Sequence, residues 1–287
     1  MEQEQWKIKM EDQNKKLIFL DIDGTLVSPG ENTPPESALR AMKAAQKNGH
    51  KVFICTGRNP AMTTPLYQYG FDGAINSAGG YITCGDKVIF DKPMSAEELD
   101  FVMNAMKSRT IFCIMEAKDA SFGDQRADRI LSMKMPGKLN SELRRWRRVL
   151  EEDMGVVPME RYDGRPVYKI SFMCLRKWNL RRARRILKNQ YQFVLQDFML
   201  GIVNGELISR NFDKGQGIRR VCEYLGADLK NTIGFGDSMN DLQMIETAGI
   251  GVCMGNGSKK LKKRADLICD DVEKDGLAKA FAQLGLI

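Results

Sequence analysis

The stretch LIFLDIDGTL, residues 17–26, decides the fold of this chain. Its first four residues are apolar and rich in branched and aromatic types, which predicts a strand buried on both faces. The strand runs into Asp21 and Asp23, and Gly24 follows. Packing alone does not account for two carboxylates here, because their desolvation is costly. Alternate residues of an extended chain share a face, so both can address one site. An ordinary Asp-Gly turn is the alternative.

Length and composition narrow the class of protein. The 287 residues suffice for two domains, and 43% hydrophobic and 28% charged residues are typical of a globular protein. No apolar run predicts a membrane span, and residues 1–16 are too polar for a signal peptide. Seven separated cysteines favour a reducing cytoplasm over a disulfide framework or a zinc site. The single histidine, His50, excludes histidine-centred chemistry.

The charge of the chain points to an anionic partner. The formal net charge is +7 and the pI is about 9.0, which suits small phosphates or nucleic acid.

Strands and helices alternate after the first strand. Thr33 as N-cap and Pro34 at the first helical position predict a helix start, and Gly49 predicts its end. Residues 51–55 and 73–75 are predicted strands, with a helix between them. This alternation is typical of an α/β fold with a doubly wound parallel sheet, a Rossmann-like core.

The pattern changes between residues 81 and 210, where hairpin-like strands mix with helices. Asn204-Gly205 is the strongest hairpin-turn signal in the chain. From Asp213 onward the strand–helix alternation returns. We therefore predict a core domain made of residues 1–80 plus 211–287, with an α+β domain of residues 81–210 inserted into it.

Four motifs lie, in order, at the ends of the core elements: DIDGTL, the Thr56 of ICTGR, Lys214, and GDSMND at residues 236–241. In these motifs the chain resembles the haloacid dehalogenase (HAD) superfamily of phosphohydrolases. Residues 251–281 are similar to the C-terminal segment of its Cof-like branch. The resemblance covers nearly the whole core. It implies that the insert is a type IIB cap that selects the substrate.

The chemistry of phosphate monoester hydrolysis agrees with these residues. The reaction needs a nucleophile, a proton donor for the leaving oxygen, and positive charge around the phosphoryl group. Asp21 is placed to attack and form an aspartyl-phosphate, and Asp23 to protonate the leaving group and later to activate water. The resemblance implies that Thr56 donates hydrogen bonds to the phosphoryl oxygens and that Lys214 offsets the negative charge.

Several carboxylates that receive a phosphate require a divalent cation, because unit charges about 4 Å apart interact by roughly 4 kcal/mol near a protein surface. Oxygen ligands favour Mg²⁺. The resemblance assigns the ion to the Asp21 side chain, the Asp23 carbonyl and Asp237. It implies that Asp241 orients metal-bound water and Lys214.

Further polar residues are weaker candidates. Gly57, Arg58, Asn76 and Asn240 are predicted to bind substrate, although the Cof-like branch often has Asn-Gly where this chain has Asn76-Ser77. The glycine-rich residues 255–260 lack Walker spacing, and we interpret them as a loop beside the site, with Asn256 structural. The arginines of two basic helices are interpreted as solvated faces, with a nucleic-acid or partner surface as the alternative: Arg144, Arg145, Arg147, Arg148, Arg181, Arg182, Arg184 and Arg185.

These observations predict a cytoplasmic, Mg²⁺-dependent phosphatase of a small phosphorylated metabolite, with a sugar phosphate as the first choice. Flavin mononucleotide or pyridoxal phosphate is the second choice of substrate. A phosphomutase that uses the same aspartyl-phosphate is an alternative enzyme. A nucleic-acid-binding protein with a vestigial site is disfavoured, because every motif residue is present. No membrane partner is expected, and the oligomeric state stays open.

Overall fold

The computed structural model describes residues 15–29, 31–124, 156–195 and 203–287 and places their strands in two sheets. The strands of the first sheet are β1 (Leu17–Leu20), β2 (Lys51–Cys55), β3 (Gly73–Asn76), β4 (Tyr81–Cys84), β5 (Lys87–Asp91), β12 (Thr232–Gly236), β13 (Ile250–Cys253) and β14 (Leu267–Ile268). Their order is β14-β13-β12-β1-β2-β3-β4-β5. All neighbouring pairs from β14 to β3 are parallel.

Helices cover both faces of this sheet. They are α1 (Glu36–Lys47), α2 (Pro60–Tyr67), α5 (Lys214–Leu225), α6 (Leu242–Thr247), α7 (Lys259–Lys262) and α8 (Gly276–Gln283). Ile18 and Leu20 pack in one apolar cluster with α1 and α8, and Leu17 and Phe19 pack in another with α5 and Met244. Successive side chains of β1 therefore pack against helices on opposite faces of the sheet. The doubly wound α/β core predicted from the sequence is confirmed.

The hairpin β4–β5, predicted to open the insert, belongs to the first sheet instead. β4 pairs antiparallel with β3, and β5 forms the edge of the sheet. The chain reverses at once after β3 because Ser77 and Ala78 adopt positive φ angles of 50° and 56°. The pairing of the strands therefore extends the first sheet beyond the expected boundary at residue 81, to Asp91.

The second sheet contains the remaining described strands: β6 (Ile111–Ala117), β7 (Ser121–Gly123), β8 (Val156–Pro158), β9 (Val167–Cys174), β10 (Tyr191–Leu195) and β11 (Val203–Ser209). Their order is β10-β11-β9-β6-β7-β8. Apolar side chains on one face, among them Ile170 and Phe172, pack with residues of α3 (Ala96–Met106) and α4 (Arg181–Leu187). This mixture of strands and helices agrees with an α+β insert.

The Asn-Gly signal did not mark a turn. Asn204 and Gly205 lie inside β11, and Gly205 pairs with Leu195 on one side and Phe172 on the other. A Cβ at Gly205 would lie 2.4 Å from the carbonyl oxygen of Val194. Glycine is needed here for the close approach of two strands, and the hairpin prediction was wrong.

The interpretation of the two arginine-rich segments as solvated helix faces can be compared with the structure for one of them only. Arg144, Arg145, Arg147 and Arg148 lie outside the described residues. In α4, by contrast, Arg181, Arg182 and Arg185 are exposed, as a solvated face requires. Within the described ranges, no helix combines the length and the apolar character needed to cross a membrane.

The first sheet has one position where ligands are expected. From β1 the sheet continues through β2 and β3 on one side and through β12 and β13 on the other. In such sheets, ligands bind beyond the carboxyl ends of the strands at the point where the strand order reverses. That point lies between β1 and β12, directly before Asp21 and Asp237.

Candidate active site

Three predicted aspartates meet at this switch point. Asp21 follows β1 and donates its backbone N–H to Phe235, while Asp237 follows β12. One carboxylate oxygen from each of Asp21, Asp237 and Asp241 lies within 4.8 Å of the others. Asp241 Oδ2 accepts hydrogen bonds from the backbone nitrogens of Asp237 and Ser238, both at 3.0 Å. The turn after β12 thus places the carboxylates of Asp237 and Asp241 beside the end of β1.

Lys214 joins this group from the start of α5. Its Nζ lies 2.7 Å from Asp21 Oδ1 and 2.5 Å from Asp241 Oδ1, and the residue is only 1% exposed. A lysine in the first helical turn opposes the helix dipole. Its two buried carboxylate partners explain why the position is occupied by a cation.

The pKa values follow from burial and crowding. Burial, followed by the charge of Asp241, raises the pKa of Asp21 to about 7, although Lys214 acts in the opposite direction. Burial and Asp241 also raise the pKa of Asp237 well above its usual value. Burial alone would lower the pKa of Lys214, but Asp21 and Asp241 hold it well above its usual value. One lysine does not neutralise three carboxylates, so the site favours an additional cation.

The residues present fit a magnesium ion. Asp237 Oδ1 is buried without a hydrogen-bond partner among the described residues. A Cβ at Gly24 would lie 2.4 Å from Asp237 Oδ2, so glycine leaves room beside this carboxylate. Carboxylate oxygens are the hard ligands that Mg²⁺ prefers. Lys214 and two backbone nitrogens occupy the oxygens of Asp241, which suits a supporting role for that residue.

Asp23 points to a different partner. Its Oδ1 and Oδ2 accept hydrogen bonds from Arg58 Nη2 and Nε, both at 2.8 Å. Arg58 also donates to the side chain of Asn32 at 2.6 Å and to the carbonyl of Glu31 at 3.1 Å. The structure therefore places Arg58, predicted to bind the substrate phosphate, in a buried ion pair with Asp23.

Thr56 and Asn76 form one local network with Arg58. Thr56 Oγ1 accepts from the backbone nitrogen of Arg58 at 3.1 Å, which leaves the hydroxyl hydrogen for another acceptor. The Asn76 amide donates to Thr63 Oγ1 at 3.0 Å and accepts from Tyr67 Oη at 3.3 Å. The Asn76 side chain therefore stabilises the segment after Thr56, and its hydrogen-bonding groups are already used in these contacts.

The remaining candidates and the glycine-rich loop make local hydrogen bonds. Asn240 is half-buried and accepts from Ser238 Oγ at 2.5 Å. The Gly57 carbonyl accepts from Lys169 of β9 at 2.8 Å. In the glycine-rich loop, Asn256 donates to the Gly24 carbonyl at 2.7 Å and accepts from the nitrogen of Val272 at 2.9 Å. Asn256 is therefore a structural residue that ties the loop after β1 to the C-terminal segment.

The structure also shows a charged cluster that we did not predict. Lys169 Nζ contacts Glu206 and lies 3.2 Å from Glu116 Oε1, and Ser171 donates to Glu116. All four side chains are buried in the second sheet. The available signal was a charged residue within an otherwise apolar strand, as in VYKISFMC at residues 167–174.

Comparisons with known proteins point to one family. A model of the haloacid dehalogenase-like hydrolase family matches residues 18–281. Bacillus subtilis YkrA is 28% identical over 281 residues, which cover 96% of this chain and 99% of that protein. The pyridoxal phosphate phosphatase YbhA of Escherichia coli is 23% identical, with 92% and 96% covered. The Bacillus subtilis 5-amino-6-(5-phospho-D-ribitylamino)uracil phosphatase YcsE is 24% identical, with 96% and 97% covered.

Solved structures share the fold over nearly the full chain. A haloacid dehalogenase-like hydrolase from B. subtilis superposes with a TM-score of 0.77 at 22% identity, covering 94% of this chain and 99% of that one. The subclass IIB sugar phosphatase BT4131 superposes with a TM-score of 0.73 at 24% identity, covering 95% and 100%. This likeness is one of fold.

Proposed function

The chain is a phosphatase of the haloacid dehalogenase-like hydrolase family, as its four motifs predicted, and we propose that it hydrolyses a small sugar phosphate with the help of Mg²⁺. The observation that carries this proposal is the buried group of Asp21, Asp237 and Asp241, with Lys214 bonded to two of them. Burying so much negative charge is costly unless a cation shares the site, and such a cation also suits the binding of an anionic phosphoryl group.

In the proposed reaction, Asp21 is the nucleophile. Lys214 binds Oδ1, so Oδ2 is the oxygen that we assign to attack phosphorus and form an aspartyl-phosphate. Thr56, with its hydroxyl hydrogen still available, donates to a phosphoryl oxygen. Lys214 then remains beside the phosphoenzyme and offsets its negative charge.

Asp23 is the proposed general acid and base. It protonates the leaving oxygen in the first step and accepts a proton from water in the second. Arg58 holds this carboxylate by both oxygens, which fixes its orientation.

Magnesium would be held by the side chains of Asp21 and Asp237 and, by analogy with the family, by the carbonyl of Asp23. When bound, the ion supplies positive charge that neutralises the carboxylates and polarises the phosphoryl group. Asp241 supports the ion indirectly, because both of its oxygens already accept hydrogen bonds.

The proposed substrate class rests on the relatives and on the basic charge of the chain. A relative named for a phosphoribityl compound and a fold neighbour named as a sugar phosphatase support a polyol or sugar phosphate. A relative named for pyridoxal phosphate keeps that compound as the second choice. The cytoplasm remains our predicted compartment, because the separated cysteines favour a reducing environment.

A panel of phosphorylated metabolites, assayed for free phosphate with Mg²⁺ and with excess chelator, tests the proposal. We expect phosphate release from sugar phosphates with Mg²⁺ and loss of turnover with chelator. Full turnover in chelator would contradict the metal requirement. An isomerised sugar phosphate without free phosphate would instead identify a phosphomutase.

A further inference from the structure

An exposed basic surface lies on the helical side of the second sheet. We propose that this surface binds single-stranded nucleic acid, with its arginines on the phosphates and its tryptophan stacked against a base. We call it the arginine–tryptophan surface, and it consists of six exposed residues: Arg109, Arg176, Trp178, Arg181, Arg182 and Arg185. This second binding site does not depend on the proposed phosphatase reaction.

The two chain segments that form the surface carry positive charge only. Residues 101–111 contain two basic residues and residues 172–190 contain seven, and neither segment contains an aspartate or a glutamate. Within the described ranges, Arg181, Arg182 and Arg185 form no salt bridge. Like charges at positions i and i+4 of a helix, as in Arg181 and Arg185, destabilise it. A polyanion that lies across these cations is therefore favoured.

One continuous helical run places Trp178 beside the arginines of α4. The short 3₁₀ helix Lys177–Leu180 leads directly into α4, since Leu180 and Arg181 both have helical backbone angles. The apolar residues of this run pack in the core of the second sheet: Leu180, Ala183 and Leu187. The spacing i, i+3, i+4, i+7 puts four residues on the side away from that core: Trp178, Arg181, Arg182 and Arg185.

Hydrogen bonds join this run to the turn before β6. The backbone nitrogen of Leu175 donates to the carbonyl of Thr110 at 3.3 Å, and the Asn179 amide donates to Thr110 Oγ1 at 2.6 Å. The turn that carries Arg109 therefore lies beside the turn that carries Trp178. Distant parts of the sequence thus contribute cations to one surface.

Trp178 is the residue that points to nucleic-acid bases. It is 56% exposed, and the guanidinium of Arg176 lies 4.7 Å from the centroid of its ring. An exposed aromatic ring beside arginines is the combination on which single strands stack, and it accepts any base. In a duplex the bases are stacked on one another and are not available to the ring. The exposed tryptophan therefore favours a single strand.

An anionic membrane fits this surface less well. A helix that lies in a membrane interface buries a broad apolar face in the lipid. Here the apolar residues of the helical run pack against the second sheet, and its exposed side is mostly arginine. The planar guanidinium group suits bidentate contacts with phosphate. A flexible phosphodiester chain with bases matches both the arginines and the tryptophan.

The position of the surface leaves the catalytic crevice open. α4 packs on the face of the second sheet opposite Lys169, and Lys169 donates to the Gly57 carbonyl beside Thr56. Hydrolysis of p-nitrophenyl phosphate, together with circular dichroism, can therefore report the integrity of every variant separately from its nucleic-acid binding.

Fluorescence anisotropy with fluorescein-labelled oligoadenylate tests the proposal. The strand carries no terminal phosphate, so the catalytic site has no monoester to bind. We expect saturable binding by the wild-type protein, with log K falling by about 2 or more per unit of log salt concentration, as about three phosphate contacts require. A strand of equal length without bases should bind about fivefold or more weakly, because it cannot stack.

Substitutions connect this binding to the surface. Arg181→Glu combined with Arg185→Glu should weaken binding about tenfold or more. Arg40→Glu combined with Lys47→Glu makes the same charge change at exposed residues of α1 and should weaken it by no more than about threefold. Trp178→Ala should weaken binding about fivefold or more, whereas Trp178→Phe retains a stacking ring and should stay within about twofold of wild type.

Four results would overturn the inference. They are the absence of saturable binding by the wild-type protein, equal affinity for the strands with and without bases, equal losses in the α4 and α1 double variants, and unchanged affinity in a folded Trp178→Ala protein. The first two need no variant. Binding to phosphatidylserine vesicles without binding to oligoadenylate would assign the surface to an anionic membrane instead. None of these results would affect the proposed phosphatase function.

Discussion

Arg58 holds Asp23 by both carboxylate oxygens, through Nη2–Oδ1 and Nε–Oδ2 contacts of 2.8 Å each. The arginine and aspartate side chains are 4% and 10% exposed, so water screens this ion pair weakly. One side chain therefore binds both oxygens of the carboxylate that we propose as acid and base. The ion pair also fixes the orientation of the Asp23 carboxylate between turnovers.

Replacing Arg58 should therefore affect both stability and rate. Arg58→Gln leaves a buried carboxylate without its cation, and removal of one partner from such a pair typically costs about 3–5 kcal/mol. We expect a lower midpoint of thermal unfolding and a kcat lower by about 10²-fold, because Asp23 loses its orientation. Arg40→Gln is the matched control, since Arg40 pairs with Glu36 at the exposed surface. Equal effects of the two substitutions would contradict a special role for Arg58.

Substitution of Asp21 and substitution of Asp23 should block different steps of the reaction. Asp21→Asn removes the nucleophile, so no phosphoenzyme forms and turnover is lost for every substrate. Asp23→Asn removes proton transfer, which is typically worth about 10²–10⁴-fold, and hydrolysis of sugar phosphates should stall at the first step. Nitrophenolate leaves without a proton, so this variant should still release a burst near one equivalent of nitrophenol per enzyme.

Stopped-flow absorbance with p-nitrophenyl phosphate measures this burst. In the Asp23→Asn variant a slow phase should follow it, because the phosphoenzyme lacks its base. If both variants lose the burst and the turnover equally, the roles assigned to the two aspartates are wrong.

The metal-free protein should lose stability as the pH rises. The pKa of Asp21 is about 7 in the folded state against 3.8 for an unperturbed aspartate, and the pKa of Asp237 is also raised. Between these pH values the folded state binds more protons than the unfolded state, so the free energy of unfolding falls as pH increases. The loss is complete above the folded pKa. Since Mg²⁺ binds the ionised carboxylates, it should raise the unfolding temperature more at pH 8 than at pH 6.

Asp237→Asn tests the origin of this pH dependence. The substitution removes one of the crowded carboxylates, so the metal-free variant should unfold at a higher temperature than wild type at pH 8. It should also lose most of the stabilisation by Mg²⁺. Asp86→Asn, at an exposed turn between β4 and β5, should leave both properties unchanged. A metal-free Asp237→Asn protein less stable than wild type would contradict this explanation.

The arginines of α4 should have little influence on catalysis. Arg181 and Arg185 are exposed, and α4 packs on the apolar face of the second sheet, opposite the face that carries Lys169. Replacing both with glutamate should change kcat/KM for glucitol 6-phosphate by no more than about threefold. A hundredfold loss, about 2.7 kcal/mol of transition-state stabilisation, would show that this basic face reaches the substrate.

The site was predictable where short segments carry the chemistry. Asp21 follows a strand whose apolar residues are contiguous, and Asp237 and Asp241 belong to one turn, but each segment alone also suits an ordinary turn or helix start, so the four motifs together were needed to assign them. Lys214 was assigned from the resemblance to the family's motifs, and its position at a helix start is only a weak local signal.

Features that depend on distant strands were not predictable in the same way. Asn204-Gly205 has the composition of a turn, but the proximity of Val194 gives Gly205 a different role. The partners of Arg58 and Asn76 depend on how three loops converge, which no single segment specifies. Likewise, the buried contacts of Lys169 with Glu116 and Glu206 form only when β6, β9 and β11 align in register.

The order of strands around β1 also has a consequence for biosynthesis. β1 pairs with β2, which follows it closely, and with β12, which is made much later. Asp21 and Lys214 are separated by 193 residues, so at a translation rate of about 5–20 residues per second the nucleophile waits roughly 10–40 s for its lysine. Throughout that interval the apolar strand Leu17–Leu20 has one edge unpaired on the ribosome. Ribosome-associated chaperones therefore have a defined segment of the nascent chain to protect, and a nascent chain arrested before β12 emerges carries the nucleophile and Lys214 without Asp237 and Asp241.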